Sequence, residues 1–355
     1  MSATLLQAWQ RRGPLAVALW PLSRGYAALL GLRRLIYQFD LKRSERLPVP
    51  VLVVGNVVVG GAGKTPTVIA LVRHLRAQGW QPGVISRGYG REGDDCLEID
   101  ARSSGREAGD EPLLIARATD VPLVVGRNRL EAGRLLLQRH PETDLIISDD
   151  GMQHWALARD LTVVVFDERG TGNGWLLPAG LLREPWPARP WGDGELLVLR
   201  TGRADAKVAG LAPARPGAAV HTARRDLADA AIDARGRSHA LADLGAAADL
   251  PLGALAGIAQ PGRFFEMLRA RGLRLERELA LPDHADGAAL LAALTPGLRW
   301  LCTEKDAVKL FPLLAQHPEL DIWAVPLQQT PEPAFWDQLD RALERLSSRD
   351  GRQTP

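Results

Sequence analysis

From about residue 49 onward, short aliphatic runs alternate with stretches of helical periodicity. Residues 49–54 predict a buried strand, followed by a glycine-rich turn and a helix over 66–78. Pro66 suits the first helical position and Gly79 the end. Runs at 83–86, 121–125, 145–148, 161–166 and 196–199 predict further strands, with helices over 112–118 and 129–138. Alternation at this spacing predicts an α/β fold with a parallel sheet flanked by helices. Composition shifts to Ala, Pro, Gly and Arg between about 201 and 219, a linker pattern. A second alternating set follows: strands at 252–258, 275–279, 298–302 and 322–325, helices over 263–271 and 287–294. No internal repeat is visible. The 355 residues exceed what one hydrophobic core usually serves. The expected division is a first domain over 46–205, a smaller α/β domain over 206–346 and a frayed tail at 347–355.

The first 45 residues have a different pattern. Leu15, Val17, Leu19, Trp20, Leu22, Tyr26, Leu29, Leu30, Leu32, Leu35, Ile36 and Tyr37 are interleaved with arginines. No run reaches the roughly 18 consecutive apolar residues of a spanning helix, and the basic residues are too dispersed for a signal peptide. Arginines beside Trp and Tyr suit a helix lying in a lipid interface; the other reading is a helical hairpin packed on its own domain. Charge sharpens this contrast. Eight basic residues against Asp40 and Glu45 make the first fifty residues +6, within a chain of net +2. The aliphatic content of this segment excludes a nucleic-acid arm and favours a membrane surface. Cys96 and Cys302 offer no disulfide framework and no metal-ligand spacing, and both read as buried structural thiols.

Gly60-Gly61-Ala62-Gly63-Lys64-Thr65 stands between the first predicted strand and its helix, the setting in which backbone N–H groups cradle phosphates. With Val58 and Val59 it forms the candidate ATP-binding loop. Lys64 would neutralise the β/γ oxygens and Thr65 ligate magnesium. The usual pattern has glycine where Val58 stands. The acidic half of such a site is Asp149-Asp150, ending the strand at 145–148; either carboxylate could hold Mg2+. Gln153 and His154 follow. Asp110 and Glu111 precede Pro112 at a helix start, where a carboxylate either accepts a substrate proton or caps the helix. Asp283-His284 follows a strand in the second domain, and taken alone reads as a loop. Arg87, Arg127, Arg129 and Arg183 occupy polar turns, and guanidinium groups there suit phosphate oxygens.

Together these segments resemble the tetraacyldisaccharide 4′-kinase family, the lipid A kinases of Gram-negative bacteria. The resemblance is carried by Val53–Pro66, Ser86-Arg87-Gly88-Tyr89-Gly90, Gly109-Asp110-Glu111-Pro112, Asp149–His154 and Leu182-Arg183-Glu184-Pro185 in the first half. Gly257–Phe265, Asp283-His284 and Thr303-Glu304-Lys305-Asp306 carry it in the second. A non-glycine opening of the phosphate loop is typical of that family, whereas Ala285 stands where a His or aromatic usually follows the Asp-His pair. The resemblance implies transfer of the ATP γ-phosphate to the 4′-hydroxyl of an acylated glucosamine disaccharide 1-phosphate, giving lipid IVA. It places the enzyme peripherally on the cytoplasmic face of the inner membrane, with no protein partner implied. It makes Asp110 the base, assisted by His284, beside Lys64. Glu111, Arg127, Arg129, Gln153, His154, Arg183 and Glu184 become candidate contacts to substrate or phosphate. The competing reading is a membrane-associated P-loop ATPase acting as a switch or partitioning factor. Many of those carry a lysine where Val59 stands here.

Overall fold

The computed structural model describes residues 8–100, 102–187, 194–202, 211, 219–246, 250–283 and 285–349. The chain runs through α1 (Pro14–Gln38), β1 (Val51–Gly55), α2 (Lys64–Ala77), β2 (Pro82–Ser86), β3 (Leu97–Ile99), α3 (Gly105–Ala108), α4 (Asp110–Thr119) and β4 (Leu123–Val125). Next come α5 (Arg129–Arg139), β5 (Leu145–Asp149), β6 (Leu161–Phe166), β7 (Glu195–Gly202), β8 (Val220–Leu227), β9 (Ala230–Asp233) and β10 (Ser238–Ala240). The remainder is α6 (Leu241–Ala246), β11 (Leu252–Ala256), α7 (Pro261–Ala270), β12 (Leu275–Ala280), α8 (Gly287–Ala292), β13 (Arg299–Thr303), α9 (Glu304–Leu310), β14 (Asp321–Val325), β15 (Leu327–Pro331) and α10 (Pro333–Arg349).

Two sheets organise these elements. The first has the order β15-β8-β7-β6-β1-β5-β2-β4-β3, parallel except at its edge strands β15 and β3. Every residue of β1, β2, β5 and β6 is buried, which is why these strands read as continuous aliphatic runs: helices cover both faces. The register pairs Val54 of β1 with Asp149 of β5, so the acidic strand end lies beside the entry to the phosphate loop. The second sheet, β10-β9-β14-β13-β11-β12, carries its own apolar clusters.

Sheet membership departs from the expected division at residue 206. β8 and β15 pair with each other at the edge of the first sheet, and Phe335, Leu339 and Leu343 of α10 join the first core. The chain therefore leaves the first sheet after Leu227 and returns at Leu327, so two short connections join the sheets. Residues 347–349, expected to be frayed, continue α10, which runs to Arg349 with Ser347 buried; residues 350–355 lie outside the described set. Cys302 is buried, but Cys96 is only partly so.

α1 is one 25-residue helix with Pro14 in its first turn and Pro21 inside it. By length and composition alone it is apolar enough to cross a membrane. One face nevertheless docks laterally on the first domain. Ser23 donates to the Leu176 carbonyl (2.7 Å), Tyr26 to the Arg183 carbonyl (2.9 Å) and Arg33 to the Gln153 carbonyl (2.6 Å). The rest of its surface leaves Trp20, Leu22, Leu29, Leu32 and Leu35 exposed. The segment is thus a single helix rather than a hairpin, partly packed on the first domain and partly exposed.

Candidate active site

The loop after β1 folds around backbone requirements. Gly63 caps α2 in the left-handed region (φ +88°), and a Cβ there would lie 2.0 Å from the Arg225 guanidinium, so only glycine fits. Arg225, on β8, donates to the Ala62 carbonyl (3.2 Å) and the Thr201 hydroxyl (2.6 Å), and Thr201 also donates to that carbonyl (3.1 Å). Two strands of the first sheet thus brace the loop from beneath. Val58 is fully buried and bridges to Leu182, while the Val59 N–H donates to the Leu181 carbonyl (2.9 Å). The non-glycine opening joins the loop to the 176–183 segment, so that Val58 contributes packing. Gly60 and Gly61 continue the turn. α2 begins at Lys64, two residues before the expected Pro66; proline is tolerated there because first-turn N–H groups lack helical partners anyway. Thr65 is buried in that turn.

Lys64 Nζ lies 3.4 Å from both Asp150 Oδ1 and Asn56 Oδ1. Asn56 donates to the Gly60 carbonyl (3.2 Å) and accepts at its own carbonyl from Gln153 Nε2 (3.2 Å), linking the loop to the segment after β5. Asp149 Oδ2 accepts from the Ser86 hydroxyl (2.9 Å), but its buried Oδ1 has no hydrogen-bond partner. Burial, with the negative charges of Glu111 and Asp150, pushes the Asp149 carboxyl up to about 7, against the opposing pull of Lys64. Asp150 takes a left-handed backbone (φ +48°) uncommon outside glycine. An orphaned carboxylate oxygen facing further acidic groups is a setting that a divalent cation satisfies. Among the described residues no group of three or more His, Cys, Asp or Glu could hold a metal, so magnesium here would take its other ligands from Thr65, phosphate and water.

This carries a pH signature. In the folded protein Asp149 keeps its proton up to about pH 7, whereas the unfolded chain releases it near the ordinary 3.8. Its contribution to stability is therefore fully present below the unfolded value and lost as pH rises through about 7. Without divalent cation, Asp149→Asn is expected to melt above the parent protein at about pH 8, with the gap closing toward about pH 5. Thermal melts at both pH values check this, and a gap independent of pH would contradict it.

Asp110 and Glu111 occupy the first turn of α4, which begins at Asp110 and is capped by Gly109 (φ +83°). Asp110 is therefore not the helix cap. A Cβ on Gly109 would meet the Tyr89 carbonyl at 2.9 Å, which keeps the 86–90 segment close against this turn. Asp110 Oδ2 lies 2.8 Å from Lys309 Nζ of α9, an ion pair between the two domains. His284 lies outside the described residues; beside it, Asp283 Oδ1 lies 3.4 Å from Lys305 Nζ and the Ala285 carbonyl accepts from Lys309 (3.0 Å). A second inter-domain pair joins Arg263 to Glu168 at 2.7 Å.

The remaining candidates divide. Arg129 is buried and donates to the carbonyls of Gly126 (2.7 Å) and Asp149 (3.4 Å), and burial lowers its guanidinium to about 10. It clasps the acidic turn through the backbone. His154 Nε2 accepts the Arg129 N–H (3.3 Å), and burial with the charge of Arg129 lowers the ring to about 4, so it stays neutral. The Arg183 N–H donates to the Val57 carbonyl (2.6 Å), and burial pushes the neighbouring Glu184 carboxyl up against a hydrogen bond from Gln153. Arg127 is exposed and paired with Asp94 at 3.0 Å, a surface arrangement. Sequence reasoning assigned no role to Asn56, Ser86, Arg225 or Lys309. Asn56 and Ser86 lie inside motifs already noted, whereas Arg225 and Lys309 carry no local signal.

The model of the tetraacyldisaccharide-1-P 4′-kinase family matches residues 15–344. A tetraacyldisaccharide 4′-kinase of Acidovorax sp. (strain JS42) is 53% identical over 348 residues, 98% of this chain and 96% of that protein. Another, of Polaromonas naphthalenivorans (strain CJ2), is 50% identical over 358 residues and the full length of both. Among solved structures, LpxK from Aquifex aeolicus in complex with ATP superposes with a TM-score of 0.76 at 27% identity, covering 93% of this chain and 99% of that one. With this match along almost its whole length, the chain belongs to the tetraacyldisaccharide-1-P 4′-kinase family.

Proposed function

We propose that the protein transfers the γ-phosphate of ATP to the 4′-hydroxyl of a tetraacylated glucosamine disaccharide 1-phosphate, yielding lipid IVA in lipid A biosynthesis. The observation that carries the reading is one acidic and basic cluster. Lys64 sits against Asp150, Asp149 beside it feels the charge of Glu111, and Glu111 adjoins Asp110 on α4. This cluster supports a reading in which phosphate loop, cation ligands and base serve one site. Magnesium, when bound by Thr65 and Asp149 or Asp150, would spread the charge of the β- and γ-oxygens. Lys64 draws off charge on the transferred phosphoryl group. Asp110 takes the hydroxyl proton as the sugar oxygen attacks, with His284 as its partner. Arg183, whose N–H meets the Val57 carbonyl, and Glu184, hydrogen-bonded to Gln153, serve as substrate contacts. A sugar-specific kinase also accounts for conditions the switch ATPase does not require, namely an acidic helix start at the phosphate site. The test is phosphate transfer from labelled ATP. Turnover that appears only on adding the acylated disaccharide supports the kinase; turnover driven by lipid or protein alone supports the switch.

The acyl chains of such a substrate stay in the bilayer, and the exposed face of α1 suits peripheral binding at the cytoplasmic surface. Arg24 stacks over Trp20 at 5.7 Å, an arrangement suited to the headgroup region. Leu29→Asp/Leu32→Asp, on the exposed side, is expected to reduce sedimentation with anionic vesicles by roughly tenfold or more while ATP affinity stays within about twofold. Equal vesicle binding by parent and variant would take the membrane role away from this face.

A further inference from the structure

We infer that Lys309 is a positioning residue of the second domain that holds the Asp110 carboxylate in place for proton abstraction. The inference rests on Asp110 being the base. Lys309 Nζ lies 2.8 Å from Asp110 Oδ2 and donates to the Ala285 carbonyl at 3.0 Å. The ammonium has three donors and no acceptor, and two of them here serve groups from different domains. One turn earlier on α9, Lys305 Nζ lies 3.4 Å from Asp283 Oδ1. Residues four apart share a helix face, so from one face of α9 the two lysines reach Asp283 and Ala285.

α9 is itself anchored. Thr303 caps it, accepting the Asp306 N–H (3.2 Å) and donating to Asp306 Oδ2 (2.6 Å), and the same oxygen accepts the Gly257 N–H (3.1 Å). One end of the helix is thus tied to the second sheet while its last turn reaches Asp110, and α9 packs on α4. The side chains of Lys309 and Asp110 are only 12% and 18% exposed, so the pair is held more rigidly than a surface ion pair. The carboxylate oriented in this way receives the proton of the 4′-hydroxyl. The sugar oxygen bonds to the γ-phosphorus, the bond to the β–γ bridging oxygen breaks, and ADP leaves with that electron pair. A base displaced by an ångström loses much of its effectiveness.

The test compares Lys309→Met, Lys309→Arg, Asp110→Asn and the double variant Asp110→Asn/Lys309→Met in the full-length enzyme. It measures kcat, KM for both substrates, ATP Kd and melting temperature. Lys309→Met is expected to lower kcat by about 10–100-fold with ATP Kd within about twofold, and Lys309→Arg to recover most of the loss. In the Asp110→Asn background, Lys309→Met should cost nothing further. If Lys309→Met does not fold, Lys309→Gln, which keeps a donor without the charge, gives the same readout. Undiminished kcat in a folded Lys309 variant, beside an impaired Asp110→Asn, overturns the positioning role alone, as do equal fold-losses in both backgrounds. Full activity in Asp110→Asn overturns the base assignment and the positioning role with it.

Discussion

Lys64→Ala is expected to lower kcat by roughly 10²–10³-fold or more while the fold is kept. The side chain is only 11% exposed and lies 3.4 Å from Asp150, so its charge acts where water screens little. Charge develops on the phosphoryl oxygens during transfer, and a fixed ammonium there stabilises the transition state more than the ground state. The substitution has a second consequence. Lys64 opposes the rise of the Asp149 carboxyl, so its loss leaves two adjacent acidic groups and Glu111 less compensated. Magnesium dependence should therefore change together with kcat. Steady-state turnover, ATP binding and circular dichroism on the same preparation make the comparison. Near-normal turnover in a folded Lys64→Ala protein would remove the phosphate-loop assignment.

The second large effect belongs to Asp110 and His284. Asp110→Ala and His284→Ala are each expected to reduce kcat by about 10²–10⁴-fold with little change in ATP affinity. A carboxylate is a weak base toward a sugar hydroxyl, and a histidine that orients it or accepts its proton answers that difficulty. Lys309 ties Asp110 to the Ala285 carbonyl, joining the first domain to the second at this point. Because the two residues would act as a unit, the double variant should be much less impaired than the product of the single losses. Multiplicative losses in a double-mutant cycle on kcat would show independent action. An unimpaired His284→Ala would return Asp283-His284 to an ordinary loop.

The parallel core was legible because burial on both faces leaves continuous aliphatic runs, as at β1, β5 and β6, separated by periodic helices. Boundaries differ at first-turn prolines: α2 and α4 start two residues before Pro66 and Pro112, because a proline is tolerated anywhere in the first turn. β8 carries no comparable signal. Its Val-His-Thr-Ala-Arg-Arg-Asp-Leu mixes buried and exposed positions without clean alternation, and its partner β15 comes about a hundred residues later. The expected domain division followed contiguous sequence and so missed that the chain returns to its first sheet.

The phosphate loop, the acidic strand end and the acidic helix start were determined by the sequence alone, since each works through neighbouring residues whose spacing sets their geometry. Strand order decided the rest of the site. Only after β8 joins the first sheet can Arg225 brace the loop at Ala62, and only after the second sheet is inserted between β8 and β15 can Lys309 reach Asp110. Both contacts join residues far apart in the chain through the packing of whole elements, and no local pattern of polar and apolar positions encodes that packing.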